Sequence, residues 1–463
     1  MRRFDAIVIG AGQAGPSLAG RLAAAGQTVA IVERKLLGGT CVNTGCIPTK
    51  TLVANAKAAH VVRRSADYGV VVPGSIGIDF TRVMARAHSV SASSRDGIGS
   101  WLRSMARCTL LEGQARFESN DTVKVGDELL RAKRIFVNVG GRARIPEMPG
   151  VGTVPYLTNS SLLALQRLPD HLVIVGGGYI ALEFGQMFRR FGSKVTVLEM
   201  GPRLLGREDE DVSAEIQSIL EREGVEVRLG AKCVSLGRTS GTSDGVTARF
   251  ECEAKEQAVS GSHLLLAVGR RPNTDDLGLE QAGVAVDARG FVIVDDHLRT
   301  NVEGVWALGE CNGRGAFTHT AYNDYEIVAA NLLDDDPRKV SDRISAFALY
   351  VDPPLGRAGM TEHEARKTGR PLLVSKRPMT RVGRAVEKDE TQGFMKAVVD
   401  AETGRILGAA ILGTGGDEAI HGILYAMYAG GTARTLTRSV GIHPTVSELV
   451  PTLLGDLKPV DVR

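Results

Sequence analysis

Short apolar runs that stop on glycine recur along this chain and predict its architecture. Phe4-Asp5-Ala6-Ile7-Val8-Ile9 reads as a buried strand, followed by Gly10-Ala11-Gly12-Gln13-Ala14-Gly15 and an Ala/Leu-rich helical stretch to Ala25. A second strand, Thr28 to Val32, ends at Glu33. The same order returns at His171-Leu172-Val173-Ile174-Val175, then Gly176-Gly177-Gly178-Tyr179-Ile180-Ala181, a helix through Phe188, and Val195-Thr196-Val197-Leu198 ending at Glu199. First glycine to terminal acid spans 23 positions in each case, 10 to 33 and 176 to 199. This is an internal repeat. A lone glycine triplet says little, and an ordinary glycine-rich strand-to-helix turn is its plain reading. Strand, glycines, helix, strand and acid in this order form a dinucleotide fingerprint: Gly10, Gly12 and Gly15 let the backbone approach a pyrophosphate, and Glu33 can accept from a ribose hydroxyl.

Two more buried strands end on glycine, Arg134 to Gly141 through Gly140 and His263 to Val268 at Gly269. Between the repeats the pattern is coarser, with helical stretches around Phe80 to His88 and Gly97 to Met105, then short strands over Glu112 to Phe117 and Thr122 to Val125. Pro146, Pro149, Gly150 and Pro155 mark a linker, and Asp334-Asp335-Asp336-Pro337 an acidic break. Beyond it helix and strand alternate without a nucleotide fingerprint. The 463 residues exceed one compact core and suggest about three domains.

Charge changes this picture little. Lys and Arg number 56 against 53 Asp and Glu, a net +3 with both signs interspersed, which leaves no footprint for nucleic acid or an anionic membrane. No run reaches the ~18 apolar residues of a membrane span. Met1-Arg2-Arg3 and the apolar stretch after it could pass for a signal peptide, but Asp5, Gln13 and Arg21 interrupt it and the glycine pattern explains it better. Six cysteines, at 41, 46, 108, 233, 252 and 311, suit a reducing cytoplasm.

Only the first two cysteines make a motif, Gly38-Gly39-Thr40-Cys41-Val42-Asn43-Thr44-Gly45-Cys46-Ile47-Pro48-Thr49-Lys50. The helical composition after it places both at a helix start. Residues five apart on a regular helix are separated by about 7.5 Å along the axis, too far for a disulfide without distortion. Gly45 and Pro48 can supply that distortion. The positive end of a helix also favours a thiolate. A cycling dithiol fits best; a structural disulfide, half a metal site and two buried free cysteines are the alternatives. Cysteine scarcity argues against the first of these, and no nearby His/Cys pair completes a zinc site.

These residues resemble the active-site signature of the class I pyridine nucleotide–disulfide oxidoreductases, the family of glutathione reductase, dihydrolipoamide dehydrogenase and mercuric reductase, and the resemblance runs through the whole chain. It implies an α/β fold of two Rossmann-like dinucleotide-binding domains and a C-terminal α+β dimerisation domain. Residues 1–150 and 285–335 would bind FAD, 151–284 NAD(P)H, and 336–463 would form the interface of a homodimer. FAD would lie on Gly10, Gly12, Gly15, Glu33, Gly39, Thr40, Gly140, Gly309 and Glu310, where aspartate is commoner than Glu310. The nicotinamide nucleotide would lie on Gly176, Gly178, Tyr179, Glu199 and Gly269. Glu199 favours NADH; Arg203 and Arg207 leave NADPH open. Tyr179 either covers the flavin or simply packs.

The resemblance also assigns roles. Cys46 would face the flavin as thiolate and Cys41 would attack substrate. Lys50 would pair with Glu183 beside the flavin. In Gly441-Ile442-His443-Pro444-Thr445-Val446-Ser447-Glu448, His443 would exchange protons with the partner subunit's thiols, oriented by Glu448. No cysteine follows Cys311, so the terminal pair that delivers Hg(II) is missing. The chain looks closest to the mercuric-reductase-like branch without that pair, acting on a small disulfide, a reactive-chlorine or thiocyanate oxidant, or a metal ion. Dihydrolipoamide dehydrogenase is the runner-up, favoured by Glu199 and disfavoured by Gly441. A flavoprotein redox sensor without turnover is the alternative from another class.

Overall fold

The computed structural model of the chain describes residues 1–239, 245–252 and 254–460. β1 (Arg2–Ile9) runs through the middle of the first sheet, and from Ala6 to Ile9 every side chain is buried. Ala6 and Val8 join the core that holds Leu18 and Leu22 of α1 (Ala14–Ala24); Ile7 and Ile9 join the one that holds Phe117 and Ile135. A strand covered on both faces reads as a continuous apolar run, and that made it legible. β2 (Val29–Glu33), β3 (Cys108–Glu112) and β6 (Glu128–Val137) lie parallel to it, while β5 (Thr122–Val125) and β4 (Ala115–Phe117) extend the sheet antiparallel in the order β3-β2-β1-β6-β5-β4. The strand Val305–Ala307 returns from far along the chain to pair beside β6.

The second unit repeats the plan. β8 (His171–Val175), β9 (Lys194–Leu198), β10 (Val225–Arg228) and β14 (His263–Leu266) form a parallel sheet in the order β10-β9-β8-β14, and β11 (Lys232–Arg238), β12 (Val246–Cys252) and β13 (Lys255–Gly261) an antiparallel one. The exit strands of the two units, β7 (Gly141–Ala143) and β15 (Arg270–Pro272), pair with each other, so the units are joined where each chain leaves its sheet. The C-terminal unit is a six-stranded antiparallel sheet with the helix Gly416–Tyr428 on its strand Leu355–Gly359. Buried Lys396 bonds Glu362 of its own unit at 2.7 Å and reaches Asp209 at 3.2 Å and Asp211 at 3.1 Å in the second unit. No helix of the described residues is long and apolar enough to cross a membrane.

Two helices hold the site. α3 (Cys46–Arg63) packs on α6 (Tyr179–Phe191), whose residues Phe184, Met187, Phe188 and Phe191 are all buried. Phe80 meets Phe188 edge-on at 6.0 Å, and Phe188→Ala would cost about 3–5 kcal/mol through the cavity it leaves. Phe80 opens α4 (Phe80–Ser104), a single 25-residue helix where two shorter stretches were expected. The serine-rich middle has poor helix propensity, but Met84, Ala87, Ser91, Gly99 and Leu102 keep one buried face throughout. Tertiary packing carries the helix across its weak centre.

Candidate active site

The two cysteines stand on different helices, which corrects the expectation of one distorted first turn. Cys41 lies within α2 (Gly39–Asn43), and Cys46 is the first residue of α3. Thr44 closes α2 with its N–H on the Thr40 carbonyl at 2.9 Å. A Cβ on Gly45 would lie 2.8 Å from that same carbonyl oxygen, so a side chain there would force the two helices apart. Asn159 of α5 (Asn159–Leu162) holds the break from outside, donating to the Thr44 carbonyl at 2.8 Å. Pro48 falls in the first turn of α3, where its missing N–H costs nothing. The pair is in the dithiol form, not bridged.

The two thiols are inequivalent. Cys46 is pulled down to about 6, first by the hydrogen bond from Cys41, with further help from Thr318 and the Lys50 charge, against the opposing effect of burial. Cys41 is pushed up strongly, because it donates that bond to Cys46 and sits buried beside its charge. The Thr318 hydroxyl lies 3.2 Å from the Cys46 sulfur. A thiolate flanked by a thiol donor is the form a nucleophilic dithiol needs near neutrality.

One turn along α3, Lys50 Nζ donates to Glu183 Oε2 at 2.8 Å, joining the redox helix to α6. Glu183 is buried, and its other oxygen accepts from the Tyr350 N–H at 3.0 Å. The Lys50 ammonium also sits 4.8 Å from the Tyr350 ring centre. Burying Glu183 demands both partners.

One cavity, about 1120 Å³, reaches from this cluster to the first glycine loop. Gly10, Gly12, Glu33, Gly39, Thr40, Cys41, Cys46, Lys50, Gly140, Tyr179, Glu183, Gly309 and Glu310 all line it. Gly15, Gly176, Gly178, Glu199 and Gly269 do not. The two loops correspond position by position at an offset of 166. Glu33 accepts from the N–H groups of Ala11 and Lys35, both at 2.9 Å; Glu199 accepts from those of Gly177 at 2.5 Å and Gly201 at 2.6 Å. Gly10 and Gly176 have φ near +110° (107° and 110°), and a Cβ on either would strike a carbonyl oxygen at 2.3 or 2.5 Å. A Cβ on Gly178 would meet nothing within 4 Å, and one on Gly12 nothing nearer than 3.6 Å. The protein's own packing does not require those two glycines; the space above them suits a pyrophosphate at each helix N-terminus. The residues present therefore fit FAD in the first unit and a nicotinamide nucleotide in the second.

Two features were not anticipated, the partners of Glu310 and of Asn138. Glu310, expected to meet a bound flavin, is already held by Arg270, Nε at 2.5 Å and Nη2 at 2.9 Å, and Arg270 also donates to the Gly141 carbonyl. Asn138 ties the end of β6 to the glycine loop by donating to the Gly10 carbonyl at 3.0 Å. Tyr179 tilts against Phe317, ring centres 5.8 Å apart, and burial pushes its phenol up to about 12. Arg270, Asn138, Thr318 and Tyr350 come from segments far apart in the chain, and no local pattern marked them.

His443 and Glu448 meet each other but not the dithiol of their own chain. His443 Nδ1 lies 3.0 Å from Glu448 Oε2, the imidazole is 78% exposed, and neither residue lines the cavity. A Cβ on Gly441 would come within 2.6 Å of the Glu448 Cα, so this backbone leaves no room for a side chain there.

Comparison with known proteins places this geometry. Residues 4–324 match the model described as pyridine nucleotide-disulphide oxidoreductase, and residues 345–454 match the dimerisation domain of the same family. The chain is 36% identical over 466 residues to the probable pyridine nucleotide-disulfide oxidoreductase RclA of Escherichia coli K12, covering 99% of this chain and 100% of that one. A solved structure, the Cu(II) complex of HOCl-induced flavoprotein disulfide reductase RclA, overlays with a TM-score of 0.88 over 98% of this chain and 99% of the other. Dihydrolipoyl dehydrogenase of Bacillus subtilis is 33% identical (96% and 94% covered), and mercuric reductase of Bacillus cereus 30% identical (96% and 70% covered).

Proposed function

The chain belongs to the pyridine nucleotide-disulphide oxidoreductase family, and on that premise we propose that Cys41 and Cys46 carry electrons from NADH to a small thiol-reactive or metal acceptor. It is a flavoprotein oxidoreductase that uses FAD and a nicotinamide nucleotide. Bound FAD supplies the two-electron relay between the nicotinamide and the disulfide. Residues 1–150 and 285–335 hold it, 151–284 hold NADH, and 336–463 pair two copies in the cytoplasm.

The observation that carries this reading is that one cavity contains both the first glycine loop and an inequivalent dithiol. On reduction the disulfide becomes the Cys46 thiolate and the Cys41 thiol. Cys41, deprotonated by His443 of the other copy, attacks an external disulfide; one thiol leaves with that proton, and Cys46 displaces the second as it re-forms the Cys41–Cys46 bond. The sum is NADH, a proton and one disulfide in, NAD⁺ and two thiols out. Lys50 and Glu183 hold α3 and α6 in register at the flavin end. Glu199, fixed by two backbone N–H groups, would meet the adenosine ribose of a bound nucleotide and disfavour a 2′-phosphate there, which supports NADH over NADPH.

The Cu(II) complex of the E. coli relative and its description as HOCl-induced select the acceptors to compare. With purified holoenzyme, NADH consumption is followed with Cu(II), N-chloramines, hypothiocyanite, glutathione disulfide and lipoamide. Cu(II) as the acceptor gives two Cu(I) and a proton per NADH; a disulfide gives one-to-one stoichiometry. Cys46→Ser must abolish turnover with the preferred acceptor. Full turnover in Cys46→Ser sinks the dithiol mechanism, and no turnover with any acceptor favours a sensor.

A further inference from the structure

A strap of chain, Leu204 to Asp209, ties the second glycine loop to the C-terminal sheet. At its loop end the Leu205 N–H donates to the Gly177 carbonyl at 3.0 Å, and a Cβ on Gly177 would come within 2.8 Å of the Leu204 side chain. Gly177 is held on both sides, since its own N–H goes to Glu199. Leu205 has a φ of 48°, a left-handed conformation that leucine keeps only where its surroundings fix it. The Leu204 carbonyl accepts from the buried Ser213 hydroxyl at 2.5 Å, and the Glu208 N–H donates to the Leu205 carbonyl at 2.7 Å. At the other end Asp209 precedes the helix Glu210–Arg222 but does not cap it with its side chain. That carboxylate crosses to the C-terminal unit, where it accepts from the Glu362 and His363 N–H groups, both at 3.0 Å, and from Lys396 at 3.2 Å. Lys396 and Arg357, which stands 3.8 Å from Glu208, lie on strands of the C-terminal sheet.

We propose that Ser213 and Asp209 are positioning residues for the nicotinamide nucleotide: by anchoring the two ends of this strap they hold Gly177, and with it the loop that receives the pyrophosphate, against the C-terminal unit. The inference rests on the nucleotide reading above and adds to it residues outside the loop. Neither side chain lines the cavity or belongs to the glycine fingerprint. Glu199 fixes the loop from within its own unit; the strap fixes it from the unit next door. The linkage runs both ways: if the anchored strap favours bound nucleotide, bound nucleotide favours the anchored strap. Nucleotide on the loop therefore slows opening of the Glu362 and His363 N–H groups. A strap released at either end is slack throughout, so releasing both ends costs no more than releasing one.

The test uses FAD-loaded protein. Ser213→Ala removes the hydroxyl from a helix interior that alanine suits; Asp209→Asn keeps the shape and takes away the charge that holds Lys396. Flavin reduction in stopped flow, followed against NADH concentration, separates the dissociation constant of NADH from the limiting rate. Loss of one hydrogen-bonded hold corresponds to about 3- to 10-fold in affinity. The expected result is that rise in the dissociation constant for each variant, no further rise in the double variant, and an unchanged limiting rate and flavin content. Hydrogen exchange of the oxidised holoenzyme is then read with and without NAD⁺. Exchange at Glu362 and His363 should slow with NAD⁺ in the unaltered protein and not in Ser213→Ala. Should Asp209→Asn not retain flavin, Ser213→Ala carries both measurements. An unchanged dissociation constant, single effects that multiply in the double variant, or exchange indifferent to NAD⁺ in the unaltered protein overturns the proposal. A holoenzyme whose flavin no nicotinamide nucleotide reduces, but whose exchange still responds to NAD⁺, removes the electron-transfer reading and leaves this one, so the two failures are distinct.

Discussion

Lys50→Met is the most exposing test of how the redox helix is held. Glu183 is 3% exposed and depends on two donors, the Lys50 ammonium at 2.8 Å and the Tyr350 N–H at 3.0 Å. Methionine fills the volume of the lysine stem but leaves one carboxylate oxygen buried without a partner. Breaking a buried pair this way costs about 3 kcal/mol, the low end of the known range, because Lys50 itself keeps contact with water. With a denaturant slope of about 2 kcal/mol per molar, the urea midpoint for flavin release falls by roughly 1.5 M. Adding Glu183→Gln to that variant removes the stranded charge while its carbonyl still accepts from Tyr350. The double variant should recover most of the loss, giving a coupling of about 2 kcal/mol. A midpoint that moves by less than about 0.3 M, or losses that simply add, would refute the claim that this pair joins α3 to α6.

Three further outcomes follow from the same geometry. Cys41→Ala removes the donor that chiefly depresses Cys46, so the thiolate midpoint should climb from about 6 toward the ordinary thiol range, and alkylation at pH 7 should slow; Cys41→Ser, which keeps a donor, should slow it less. His443→Gln should lower turnover with a disulfide acceptor by about 100-fold or more while NADH still reduces the dithiol at the same rate in stopped flow. Gly441→Ala forces a Cβ to within 2.6 Å of the Glu448 Cα, and overpacking of this kind costs about 1–3 kcal/mol; it should reproduce part of the His443→Gln defect without touching flavin content.

Most of the framework was legible in the sequence because strands buried on both faces announce themselves as apolar runs ending on glycine. Glu33 and Glu199 stood at the same spacing from their loops, and in the structure they do the same thing, bracketing each loop through two backbone N–H groups. What stayed hidden has physical reasons. α4 reads as two helices because its serine-rich centre lacks propensity and only the tertiary face carries it across. The break at Gly45 depends on an approach to the Thr40 carbonyl that no spacing rule encodes. Thr318 and Tyr350 reach the site from 272 residues beyond Cys46 and 167 beyond Glu183, and the Arg270 clamp on Glu310 spans 40. Such contacts follow from how the units dock, not from any local pattern.

The central claim, that Cys46 is a thiolate in contact with a bound flavin, is met most directly by an anaerobic titration of the yellow holoprotein with NADH. The account predicts a long-wavelength absorption band that grows to a maximum at two electrons per subunit, fades on acidification below about pH 6, and is missing in Cys46→Ser. Bleaching of the flavin with no such band at any pH would contradict it.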